Sequence, residues 1–245
     1  SQIDNFEKLI ESGVQYDDLD ESHQQISARE QLGTIISEPL LIEMLFCPLM
    51  FYGSAREHDM DWGQFSIMFR SIFMERLSRP FAGVRLILKQ LVRKFRGQGG
   101  ELKLRTGVSK LIVEDGEVRG VELESGEVIE GRRILSSAGW CETMRMCDDG
   151  APVSSRAPGK LSFCETIATL DIQPQELGYD RTITFFNDSD KFDWSASEPP
   201  CDVRSGVICS PNNFEYGQLP DEGTMRITVL ANFDYWKNLD EQTYA

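Results

Sequence analysis

Asp115-Gly116 is the feature that most limits how this chain can fold. It separates "VSKLIVE" from "EVRGVEL", both β-rich, and a link this short closes an antiparallel hairpin. Ser125-Gly126 turns the chain again before "EVIEGRRIL". Hairpins in series predict a three-stranded antiparallel meander, with the alternating Leu102 and Leu104 of "ELKLR" reading as a strand ahead of it. Before the meander, Val84, Ile87, Leu88, Leu91, Val92 and Phe95 recur at helical spacing, with Arg85, Lys89, Arg93 and Lys94 opposite. This predicts an amphipathic helix over 83–96, stopped by Gly97, Gly99 and Gly100. After the meander comes "SSAG", whose small side chains let the backbone approach another group closely.

The residues before 98 read as helical. Ile3, Phe6, Leu9 and Ile10 share one face, with Gly13 as a stop, and Ser27 with Glu30 forms a capping box for "SAREQLGTIIS". "PLLIEMLFCPLMFYG" is too short, and too interrupted by Glu43 and Pro48, for a membrane span. It predicts a helix broken near Pro48. With Phe65, Met68, Phe69, Ile72 and Phe73, it makes either core or the wall of an apolar cavity. Trp194 and Trp236 are packing residues or ligand contacts. After Gly139, "KLSFCETIATLDI", "RTITFFN", "SGVICSP" and "TMRITVLANF" are strands separated by Pro, Gly, Asn and Asp, and "WKNLDEQTYA" starts a helix. The class is α+β: a helical N-terminal part over 1–98, the meander within 99–145, and a mostly β part over 146–245 whose sheet is expected to be mixed.

A formal charge of -15 over 245 residues argues against nucleic acid, which needs a surplus of Lys and Arg. It also opposes general attraction to an anionic membrane, leaving only a local basic patch for peripheral contact. None of the six cysteines is spaced CxxC, and without a visible secretory signal they read as free thiols in a reducing compartment. His23 and His58 are the only histidines. His58, among carboxylates in "REHDMDW", is either a metal ligand or part of a solvated loop, and the loop is the simpler account. No metal site is expected. There is no GxSxG elbow and no GxxxxGK[ST] loop, and Asp17-Asp18 and Asp148-Asp149 read as solvated surface.

The ordered set around the meander resembles the middle of the FAD-dependent oxidoreductases of the phytoene desaturase and carotenoid isomerase type, within the amine oxidase-like flavoproteins. The residues that carry it are Ala82-Gly83, Gly99-Gly100-Glu101, Val108, Leu111, Asp115-Gly116, Val118, Gly120-Val121, Ser125-Gly126 and Ser137-Ala138. The match is densest over about 80–145 and looser onward, where "PDEGTMRITVLANFDYWKNLDEQTY" is similar to the family's late strand and Trp-rich helix. The chain departs from the family in lacking the N-terminal GxGxxG Rossmann unit. Gly97-Gln98-Gly99 ends a helix instead of opening one, and Glu101-Leu102 follows it. The family's closing Gly-rich segment is missing as well.

The resemblance therefore implies a central portion of a longer flavoprotein that moves hydride between an apolar, isoprenoid-like substrate and FAD. It implies that Val108, Ser137, Ala138 and Gly139 lie against the nucleotide part of FAD. Phe81, Ala82 and Gly83 would lie near the flavin and substrate cavity. No residue is assigned to catalysis. The partners implied are an apolar small molecule and the N- and C-terminal segments of the parent, without which FAD binding is not expected to be complete. The location implied is cytoplasmic, with peripheral membrane contact left open. Two other classes remain: a lipid- or isoprenoid-binding module without catalysis, and a protein-interaction domain.

Overall fold

The computed structural model describes residues 4–5, 7–9, 11, 26–54, 56–76, 78–81, 83–147, 159–214, 220–240 and 243. The chain divides into two compact units, Ser1–Phe81 with Gly159–Ala245, and Ala82–Pro158. Among the expected N-terminal positions Leu9 is helical and buried, whereas Ile3, Phe6, Ile10 and Gly13 lie outside the described residues.

In the first unit, helix α1 (Ala28–Ile35) starts where its sequence says it should, with the Ser27 hydroxyl accepting the Glu30 amide at 3.1 Å. The same hydroxyl donates to Asp59 Oδ2 at 2.5 Å, tying the cap to the loop that precedes Trp62. Helix α2 (Pro39–Gly53) opens with Pro39 in its first turn and the Glu38 side chain accepting the Leu40 amide. The expected break at Pro48 does not occur, since α2 runs through it. A proline costs a helix one amide and crowds one carbonyl. Here Leu45, Phe46, Leu49 and Met50 around it are buried in the core, and packing of this kind outweighs the local loss. Helix α3 (Trp62–Phe69) passes into a π-helical segment, Arg70–Met74. Gly53 lets α2 and α3 meet closely, because a Cβ there would stand 2.7 Å from Met68 Cγ.

The sheet of this unit comprises β4 (Ser162–Leu170), β5 (Ile183–Asn187), β6 (Cys201–Cys209) and β7 (Gly223–Ala231), in the order β4-β7-β6-β5. Every pairing is antiparallel, not mixed as expected. Parallel neighbours need a crossover, usually helical, and the links here carry only short 3-10 turns among their described residues. Strands β5, β6 and β7 follow one another across the sheet, and β4 returns beside β7 in a Greek-key order. The helices and one sheet face share a core in which Phe46, Phe65, Phe69, Trp194 and Leu230 are almost fully enclosed. Trp62, Phe65, Phe69 and Phe73 form a ladder with ring centroids 5.1 to 5.8 Å apart. Phe51 meets Trp194 edge-on at 4.8 Å. Helix α6 (Phe233–Lys237) follows β7, and its Trp236 indole donates to Pro200 O at 2.8 Å.

The second unit contains helix α4 (Arg85–Gly97), the meander β1 (Val108–Glu114), β2 (Glu117–Leu123) and β3 (Val128–Glu130), and helix α5 (Trp140–Met146). Asp115 and Gly116 take φ of 52° and 75°, the left-handed pair that a tight hairpin requires. Gly126, at φ 84°, closes the second turn by donating to Leu123 O at 2.8 Å. Two expectations fail here. "ELKLR" forms no strand: Leu104 is 73% exposed, and alternation without a neighbouring strand to pair with does not make one. The third strand is only Val128–Glu130; Gly131 still donates to Arg119 O at 2.9 Å, and Arg132 to Leu135 lie outside the strand. Helix α4 forms as its periodicity requires, yet Leu88, Leu91 and Phe95 on its apolar side remain about half exposed.

Trp194 tests this core. Its ring is fully enclosed, but its indole N–H finds no acceptor among the described residues. Trp194→Ala is expected to cost about 3–5 kcal/mol in chemical denaturation, through the cavity it leaves. Trp194→Phe should cost clearly less, because no hydrogen bond is lost with the indole.

Candidate functional site

The first unit holds an apolar cavity of about 510 Å³ between α2, the π-helical segment and β5. Helix α2 supplies Leu40, Leu41, Met44, Leu45, Cys47 and Pro48 to its wall. Phe73 comes from the π-helical segment, and Phe185 and Phe186 from the strand that the sequence writes as "RTITFFN". Met44, Phe73 and Leu40 are exposed, Met44 at 63%, so the lining reaches the surface. Pro48 has no amide to give the Met44 carbonyl, one turn earlier in this wall. A π-helical turn is likewise an unusual geometry that recurs at functional sites.

The polar end of the cavity carries Glu43, Asn187 and Ser189. Glu43 is largely buried, and both its oxygens are used: Oε1 pairs with Arg29, and Oε2 accepts the Phe192 amide at 3.1 Å. Arg29 also donates from Nε to His58 O at 2.7 Å and lies 4.2 Å over the Phe46 ring. The carboxylate is thus neutralised and hydrogen-bonded, the condition under which a charge is tolerated beside apolar surface.

The other groups near the cavity are held protonated. Burial pushes the Cys47 thiol up to about 12, and the thiol lies 3.7 Å from Phe186 O, to which it donates. The Tyr52 phenol, 5.6 Å ring to ring from Phe185, is raised by burial and by Cys209. Burial also raises Cys209. Farther along the sheet, Arg226 hydrogen-bonds Glu165 at 2.6 Å and holds that carboxyl below its usual range. At neutral pH these groups provide neutral thiols, a neutral phenol and a closed ion pair. The wall itself is predominantly apolar, with Glu43 as its charged member among the described lining residues.

The residues expected near a cofactor are not among those that line this cavity. Val108 opens β1 opposite Leu123 and is partly exposed. Ser137, Ala138 and Gly139 form an exposed loop ahead of α5, with Gly139 at φ 98° as the cap residue. Both stretches belong to the second unit, where Leu111 of β1 bridges to Cys147 just after α5. Phe81 is 69% exposed at the end of the first unit's opening segment, Gly83 has φ 78° before α4, and Ala82 lies outside the described residues. A dinucleotide cradle is a parallel strand, a Gly-rich turn and a helix N-terminus. Among the described residues both sheets are antiparallel and no such unit is formed.

Sequence reasoning treated Glu43 only as an interruption of the apolar run, and missed it as the paired carboxylate of the cavity wall. An acidic residue inside such a run was the available signal, since a charge kept in an apolar helix needs a partner. His58 proves to be a loop residue at φ 65°, with Nδ1 3.6 Å from Asp193 Oδ1.

The chain is similar to the phytoene desaturase (neurosporene-forming) of Cereibacter sphaeroides, 29% identical over 107 residues that cover 41% of this chain and 19% of that protein. It is also similar to the chloroplastic prolycopene isomerase of Daucus carota, 26% identical over 180 residues that cover 69% of this chain and 28% of that protein. The chain thus matches less than a third of the length of these relatives. No protein-family model matches it. These distant likenesses connect it to carotenoid desaturases and isomerases. Among the described residues no helix is long and apolar enough to cross a membrane.

The Cys47 thiol gives this wall a pH signature. Its folded value, about 12, lies above the ordinary 9.0. Protonation therefore favours the folded state: the stabilisation is complete below about 9 and is lost as pH rises toward 12. Between pH 9 and 11 the melting temperature should fall more steeply in the natural chain than in Cys47→Ala.

Proposed function

We propose that this chain forms the substrate-binding part, and a flank of the cofactor-binding part, of a longer FAD-dependent oxidoreductase of the carotenoid desaturase and isomerase kind. The observation that carries the reading is the cavity walled by α2, Phe73 and β5, in a chain whose relatives are named for phytoene and prolycopene. Residues 1–98 and 146–245 would serve the substrate, and 99–145 would belong to the cofactor domain. An isoprenoid-like hydrocarbon would lie along Met44, Pro48, Phe73, Phe185 and Phe186, and those side chains would orient it and exclude water.

FAD, when bound, would supply the hydride chemistry. Val108, Ser137, Ala138 and Gly139 would face its nucleotide part, with Phe81, Ala82 and Gly83 toward the flavin and substrate. The pyrophosphate cradle would come from other segments of the longer protein. A cytoplasmic location with peripheral contact to a membrane agrees with an apolar substrate. A second reading, a lipid- or isoprenoid-binding module without catalysis, is favoured by one observation: the cavity lies wholly within one unit.

Titration with detergent-solubilised lycopene, followed by quenching of tryptophan fluorescence, tests the binding surface. Saturable binding is expected, and Met44→Asp, at an exposed lining position, should weaken it about tenfold or more without lowering the melting temperature. A cooperatively folded chain that shows no saturable lycopene binding would overturn both readings. A flavin absorbance spectrum from the longer protein, absent or present, separates the module from the enzyme.

A further inference from the structure

We infer that α4 and two stretches of unpaired backbone, 101–105 and 132–137, form a docking surface of the second unit, and that its occupant is a set of β-strands from the rest of the longer protein. This rests on the reading of the chain as part of a longer oxidoreductase and names the surface through which the remainder joins it.

Three neighbouring features of this unit lack partners. No residue of α4 is buried, and Leu88 and Leu91 on its apolar side are 55% and 58% exposed. At its end Gly100 lies so close to Phe95 that a Cβ would stand 2.5 Å from the ring. Residues 101–105 then run outside every helix and strand, and among the described residues none of them makes a backbone–backbone hydrogen bond. Lys103 is tied to Glu127 at 3.1 Å, while Leu102 and Leu104 on either side of it are exposed. Beyond β3, Arg132 to Ser137 likewise make no such bond, and Leu135 is fully exposed. Among the described residues of this unit, Leu111 and Leu123 are the only large apolar side chains that are buried.

The kind of occupant follows from what is missing. The alternation of Leu102, Lys103 and Leu104 is a strand pattern that lacks only a neighbour. Added strands supply both needs at once: their backbone pairs with the free amides and carbonyls, and their apolar face covers the helix. An anionic bilayer would suit α4 alone, whose Arg85, Lys89, Arg93, Lys94 and Arg96 would meet its headgroups. Lipid hydrocarbon, however, cannot hydrogen-bond a backbone. A further helix would cover α4 and leave the same backbone groups unpaired. The matched stretches make up only 19% and 28% of the two relatives, so a protein of their length holds most of its residues outside such a stretch.

The test is amide hydrogen exchange, read by mass spectrometry, on this chain and on the longer protein. Amides of 102–105 and 133–137 should exchange at close to the free rate in this chain, and about a hundredfold or more slower in the longer protein. Leu104→Asp and Leu135→Asp, at positions exposed here, should leave the melting temperature of this chain unchanged and lower that of the longer protein by about 4 °C or more. Fast amides in a longer protein that binds lycopene would overturn the inference while the substrate reading stands. Slow amides in a longer protein that does not bind lycopene would uphold the docking surface and overturn the substrate reading. Protection that arises in this chain alone, on adding phosphatidylserine vesicles or on its dimerisation, would overturn the inference in favour of a lipid surface or a second copy.

Discussion

The first unit is organised around one carboxylate. Glu43 sits on an otherwise apolar helix and cannot stay there charged without compensation. The compensation comes from residues far away in the chain: the Arg29 guanidinium from α1 and the Phe192 amide from the segment between β5 and β6. Arg29 in turn fixes the His58 carbonyl and covers the Phe46 ring. One buried polar knot thereby sets the positions of α1, α2, the loop before α3 and the approach to Trp194.

The apolar cavity follows from two departures from regular helix. Pro48 leaves α2 one amide short, and the π-helical segment after Phe69 changes the helical repeat just where Phe73 reaches the cavity. Both irregularities lie against aromatic packing that holds them, through the Trp62–Phe65–Phe69–Phe73 ladder and Phe46 beneath it. Opposite them, β5 contributes Phe185 and Phe186, successive residues on a strand that lies at the edge of the sheet.

The second unit is built on simpler terms. Its meander is closed by turns whose backbone angles suit Asp-Gly and Gly, and Leu111 and Leu123 supply its buried apolar contacts. Its exposed loop at Ser137 to Gly139 and the partly exposed start of β1 offer backbone and not side-chain chemistry. The likeness to the bacterial desaturase and the carrot isomerase covers a small part of each.

By itself, the sequence determined whatever depends on neighbouring residues. Ser27 caps α1, Asp115-Gly116 turns the meander, and the spacing of Val84 to Phe95 makes a helix, because capping, positive φ and amphipathic period are local properties. Tertiary structure decided what depends on distant partners. It carried α2 through Pro48, left "ELKLR" unpaired, made the larger sheet wholly antiparallel, and brought residues 44, 73 and 185 around one cavity. No local pattern encodes these outcomes. A strand exists only when another strand pairs with it, and a buried charge or a helical proline persists only where the surrounding packing compensates it.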